Sequence, residues 1–154
     1  MSAALNNAVV FESELLERHR PDRIERTALP LRSDEDVVAL RKHVRERAVA
    51  IALSLVDQTK LVTAASELAR NTVVYGRGGD MDWEIVEEER GKGLRLTFRD
   101  QGPGITDMKL AMTDGWTSGS GLGLGLTGAK RLVDDFSVES VPGEGTRVMI
   151  CKWT

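Results

Sequence analysis

A carboxylate and an amide at a spacing of four, Glu67-x-x-x-Asn71, stand in a run whose apolar residues Leu61, Ala64, Ala65 and Leu68 recur at helical intervals. On one helix the two polar residues lie about 40° apart, on a face bordering the apolar stripe, with Thr63 one turn earlier. A general base beside an oxygen ligand for a hard cation is the chemistry such a pair could do. The same spacing also suits a solvated Glu and a helix-ending Asn. Further on, Leu94, Leu96 and Phe98 alternate with polar residues, and Asp100 falls on their side. That parity turns a carboxylate inward just where a strand ends, and a buried carboxylate needs a donor. Gly102, Pro103 and Gly104 then turn the chain tightly and leave space beside it, although an Asp bonded to its own loop is an equal reading.

The densest signal is Gly119-Ser-Gly-Leu-Gly-Leu-Gly-Leu-Thr-Gly128, followed by a helical pattern. Bare backbone lets main-chain N–H groups approach an anion, and a helix N-terminus behind them favours phosphate. Gly123-x-Gly125-x-x-Gly128 matches the dinucleotide fingerprint in letters only. The polar run Thr113 to Ser118 precedes it where a Rossmann loop needs an apolar strand. A Walker loop would end in Gly-Lys-Ser/Thr, whereas Lys130 comes two residues after the last glycine. The lysine strand, catalytic loop and Asp-Phe-Gly of eukaryotic-type protein kinases are absent as well.

These residues need elements to hold them. Ser33 with Asp34, Glu35 and Asp36 predicts a helix start, and Val37, Leu40, Val44, Ala48, Ile51 and Leu55 continue at helical spacing. Asp57 is expected to cap a second helix, the one carrying Glu67 and Asn71. Ile24 to Leu31 predicts a first strand. Met81, Trp83 and Ile85, a connection over Glu87 to Gly93, and Leu94 to Asp100 predict a meander. Ile105 to Met112 suggests a short helix, Thr113 to Ser118 a polar flap, and Leu126 to Val133 a helix. Phe136 and Val138 open a strand, Pro142-Gly-Glu-Gly145 a turn, and Thr146 shares the inward parity of Val148 and Ile150.

The chain of 154 residues suits one domain, residues 25–154, behind an extension over residues 1–24 that could be helical. Apolar and charged fractions of 41% and 29% are those of a soluble protein. With no membrane-length apolar run and no signal-peptide pattern, the expected location is cytoplasmic and no membrane partner is expected. A net charge of −3 gives no nucleic-acid footprint. Cys151, His19 and His43 cannot assemble a zinc cluster, so any metal must take oxygen ligands.

In this order, Glu67-x-x-x-Asn71, Asp100-Gln-Gly-Pro-Gly104, the glycine run and Gly143-Glu-Gly-Thr146 resemble the N, G1, G2 and G3 boxes of the GHKL, or Bergerat-fold, ATPase superfamily. Within it, Ser-Glu-Leu-Ala-Arg-Asn, Lys-Arg-Leu-Val-Asp-Asp-Phe-Ser and Gly-Glu-Gly-Thr look most like the RsbT-type serine/threonine-protein kinases of partner-switching modules. The Gly-Leu alternation of the glycine run is fuller than that branch leads one to expect and approaches histidine kinases.

The resemblance implies an α+β fold, a two-layer α/β sandwich with a mixed, mostly antiparallel sheet and helices on one face. It implies ATP and Mg²⁺. Asp100 would accept the adenine amino proton, with Gly102 and Gly104 against the base and Thr146 in the same network. Asn71 would coordinate Mg²⁺, and Gly119, Gly121, Leu122, Gly123, Leu124 and Gly125 would form the phosphate-facing lid. Glu67 would be the general base. The implied partner is a STAS-domain protein substrate, with a phosphatase or a sigma factor as further candidates and a homodimer as a candidate assembly. The alternatives are an anti-sigma factor or phosphatase-activating binding module, and an orphan histidine kinase catalytic domain, for whose dimeric helical hairpin residues 1–24 leave too little chain.

Overall fold

Ser33 begins the first long helix as its chemistry requires: its hydroxyl accepts the Asp36 N–H at 3.4 Å, while the Asp36 carboxylate accepts the Arg32 N–H at 2.8 Å. The computed structural model describes residues 9–11, 28–105, 112 and 125–154, the first of these segments by its backbone alone. In chain order the elements are β1 (Val9–Phe11), β2 (Leu29–Leu31), α1 (Asp34–Ala50), α2 (Leu55–Val74), β3 (Gly79–Glu88), β4 (Gly91–Asp100), α3 (Gly125–Arg131), β5 (Asp135–Val141) and β6 (Gly145–Trp153).

Helix α1 buries Val37, Leu40, Val44 and Ala48, the expected stripe, but it stops at Ala50. Ala52 takes a left-handed φ of 64°, and the Leu53 N–H returns to the Ala48 carbonyl at 3.1 Å. That closes the helix without a glycine. Leu55, expected on the same stripe, instead opens α2 and is 71% exposed. The cap of α2 is Ser54, whose hydroxyl accepts the Asp57 N–H at 3.1 Å, so Asp57 sits in the first turn rather than at the cap. Of the expected first strand only Leu29–Leu31 is strand; residues 24–27 lie outside the described residues.

Among the described residues six strands form one sheet in the order β1-β5-β6-β4-β3-β2. All five pairings are antiparallel, where the expectation was a mixed, mostly antiparallel sheet. The connection from β4 through α3 does leave β4 and β5 running the same way, but β6 lies between them and pairs with both. Strands β3 and β4 meet through Glu89 and Arg90 alone, with Glu88 opposite Gly91, so the expected longer connection is mostly strand. Val9–Phe11, within the expected extension, pairs with β5 as the sheet edge.

The helices cover one face of the sheet. Leu40, Val44, Leu61, Leu68 and Leu126 pack there with Met81, Leu96, Phe98, Val138 and Ile150 in one core. Each large side chain in it contributes about 1.5–3 kcal/mol by burial. On the other face Val86, Met149, Cys151 and Trp153 form a smaller cluster, beside the ion pair Arg95 to Glu84 at 2.7 Å and the pair Arg99 to Asp82.

Candidate nucleotide site

Helix α2 presents its apolar stripe, Leu61, Ala64, Ala65 and Leu68, to the core, and this sets where its polar residues go. Glu67 and Asn71 are both half-buried, at the edge of the packed face as their spacing predicts. The Asn71 carbonyl accepts the N–H groups of Tyr75 at 2.9 Å and Gly76 at 3.0 Å, which ends the helix.

The end of that helix abuts Asp100. Gly76 is buried, and a Cβ placed on it would stand 2.5 Å from the Asp100 Cβ and 2.6 Å from Oδ2. Gly102 closes on the same point, since its own Cβ would lie 2.8 Å from the Gly76 Cα. Only paired glycines let the helix end, the strand end and the following turn converge. Asn71 and Asp100 are thereby joined through one buried backbone position.

Asp100 ends β4 facing the helices, opposite Gly79 on one side and Thr146 on the other. Its Oδ1 accepts the Gly102 N–H at 2.9 Å, so the turn after it supplies the donor that an inward carboxylate needs. Burial pushes its pKa above the usual carboxylate value, and the backbone N–H groups of Gly102 and Thr146 oppose that rise. The group is therefore a half-buried acceptor, partly desolvated and fixed by two main-chain donors.

The turn that carries Gly104 is tied to the β5–β6 hairpin. Gly143 donates its N–H to the Pro103 carbonyl at 2.7 Å, and Gly104, at φ 73°, has the Val141 carbonyl where a Cβ would stand, 2.5 Å away. Thr146 faces inward as its parity predicts. Its Oγ1 lies 3.0 Å from the Ser140 hydroxyl, and Ser140 in turn accepts the Ile105 N–H at 2.7 Å.

Helix α3 packs against α2 through buried Leu126 and Ala129. Gly125 is its first residue, which brings the end of the glycine run beside the helix of Glu67 and Asn71. Gly119, Gly121, Leu122, Gly123 and Leu124 lie outside the described residues, as do most of the helix expected over Ile105 to Met112 and the flap over Thr113 to Ser118. Among the described residues no three His, Cys, Asp or Glu side chains gather as a metal cluster.

Two residues of this constellation escaped the sequence reading. Gly76 carries no local signal, since its need comes from Asp100 across the fold. Ser140 carried a readable signal: it shares the inward parity of Phe136 and Val138 but is polar, and it is 1% exposed.

Comparison with known proteins bears on the family and the fold. The family model described as histidine kinase-, DNA gyrase B-, and HSP90-like ATPase matches residues 56–153. The chain is similar to the serine/threonine-protein kinase RsbT of Bacillus subtilis, 42% identical over 129 residues that span 84% of this chain and 97% of that protein. It is also similar to the anti-sigma F factor of Clostridium novyi, 35% identical over 68% of this chain and 80% of that protein. Among solved structures, the RsbU and RsbW domains of Rv1364c from Mycobacterium tuberculosis share the fold with a TM-score of 0.57 at 18% identity, over 82% of this chain and 32% of that one. The mycobacterial sensor histidine kinase MprB does so with a TM-score of 0.52 at 19% identity, over 83% of this chain and 97% of that one.

Proposed function

Because the chain belongs to the histidine kinase-, DNA gyrase B- and HSP90-like ATPase family and is 42% identical to the serine/threonine-protein kinase RsbT, we propose that it is an ATP-dependent serine/threonine-protein kinase acting on a STAS-domain protein in a partner-switching module. The observation that carries this reading is the 42% identity to RsbT along 97% of that protein. The proposed kinase domain is residues 25–154, with residues 1–24 as an extension that lends β1 to the sheet edge.

The residues present fit a purine nucleotide. Asp100 offers a desolvated carboxylate, held by two amides, to the amino group of adenine. Gly102 and Gly104 would bring backbone against the base, Thr146 would complete the polar edge, and the glycine run from Gly119 to Gly125 would face the phosphates. The Asn71 amide oxygen would hold Mg²⁺ together with phosphate oxygens, as suits a hard cation with few protein ligands. When bound, Mg²⁺ would offset charge on the phosphates. Glu67, one turn before Asn71, would take the proton from a substrate Ser or Thr hydroxyl. That oxygen forms the new bond to the γ-phosphorus as the bond to the leaving ADP breaks.

A second reading is favoured by the anti-sigma F factor relatives: a sequestering module that binds a sigma factor by contact. No described helix is long and apolar enough to cross a membrane, and a cytoplasmic location is part of the proposal. Incubation with γ-labelled ATP and a purified STAS protein tests it. Acid-stable label on the STAS protein is expected. Acid-labile label would point to a histidine kinase, and partner binding without label to the sequestering module.

A further inference from the structure

The buried Ser140 hydroxyl has one proton and two lone pairs, and it makes three contacts. Ile105 N, at 2.7 Å, can only donate. The Gly145 carbonyl oxygen, at 3.2 Å, can only accept, so the Ser140 proton goes there. The third contact, to Thr146 Oγ1 at 3.0 Å, must then be Thr146 donating into the remaining lone pair. No other assignment serves all three.

The consequence falls on Thr146, whose proton is committed to Ser140. Its oxygen presents only lone pairs, and it stands in register with Asp100, whose carboxylate also only accepts. We propose that Ser140 is a specificity-determining positioning residue, which fixes the Thr146 hydroxyl as an acceptor and so makes the base-facing end of the pocket acceptor-only. Such an edge accepts a base that presents an amino group and rejects one that presents a carbonyl at the same place. A Thr146 hydroxyl free to rotate would donate to that carbonyl and soften the rejection. The inference rests on the reading of this site as a purine nucleotide pocket.

Equilibrium binding of Mg-ATP and Mg-GTP to the full chain tests it. Wild type should prefer ATP. Ser140→Ala should narrow the ATP/GTP affinity ratio by about tenfold, which corresponds to about 1.4 kcal/mol. Ser140→Thr, which keeps the hydroxyl, should hold the wild-type ratio. A merely structural role predicts that both affinities fall together in Ser140→Ala with the ratio unchanged, and that result would overturn the inference. Should Ser140→Ala not fold, Thr146→Val removes the acceptor that Ser140 fixes and must narrow the ratio likewise; an unchanged ratio there is equally fatal. A wild type that binds neither nucleotide overturns the nucleotide site and this inference with it.

Discussion

Asp100 and Thr146 stand opposite each other at the open end of the β4–β6 ladder, and the Thr146 backbone N–H is a hydrogen-bond donor to the Asp100 carboxylate. The pairing places an acceptor and a hydroxyl side by side on the helix-facing side of the sheet, where the strands stop and the glycine turns begin. Neutralising the acceptor should weaken nucleotide binding. For Asp100→Asn we expect ATP affinity to fall by about ten- to a hundredfold, the scale of one charge-assisted hydrogen bond, with an unchanged far-ultraviolet spectrum; calorimetric titration reads it.

Acid should have the same effect on wild type. Burial raises the Asp100 pKa above its ordinary value of 3.8, so the folded protein holds this proton more tightly than the unfolded chain. The stability it contributes is fully present below 3.8 and is lost as pH rises through the folded value. At neutral pH the charged form is kept against folding, and it is the charged form that is proposed to meet the adenine amino group. ATP affinity is expected to decline on acidification while the pH is still above the ordinary Asp range. That limb should be absent from Asp100→Asn, with the difference between the two titrations isolating it from protonation of the nucleotide.

Gly76→Ala is the smallest change that should disable the site from outside it. Its Cβ would need room that the Asp100 side chain occupies, at 2.5 Å. Asp100 must move or the end of α2 must shift. ATP affinity should drop by at least about tenfold, and retention of wild-type affinity would show that the helix end and the carboxylate are not coupled.

Cys151 should be inert in the native state. It is 0% exposed, and burial, followed by the charge of Asp135, pushes its thiol pKa up to about 12. Iodoacetamide at pH 8 is expected to leave it unmodified over hours and to alkylate it fully in denaturant. Rapid native labelling would contradict the closed packing of Val86, Met149 and Trp153 around it.

The parts of this fold that were legible in the sequence are those set by local period. Helical spacing put Glu67 and Asn71 at the core edge, and strand parity turned Asp100 and Thr146 inward, because both patterns depend only on neighbours along the chain. The end of α1 was not legible, since Ala52 supplies the left-handed residue that a glycine usually marks. Ser54 displaced Asp57 as cap because the two are equally good capping residues at adjacent turns. Gly76 and Ser140 depend on partners brought in by the sheet, so their roles exist only once β4, β5 and β6 are assembled.

The central claim is that this chain moves the γ-phosphate of ATP to a protein hydroxyl with Glu67 as base. Single-turnover transfer to a purified STAS protein, followed by mass spectrometry in wild type and Glu67→Gln at matched ATP saturation, tests it most directly. The account predicts one phosphoserine or phosphothreonine on the partner with wild type, and a rate lower by about 10²–10⁴-fold in the variant with ATP affinity retained. Equal transfer rates in the two proteins, or phosphate released to water with none on the partner, would contradict it.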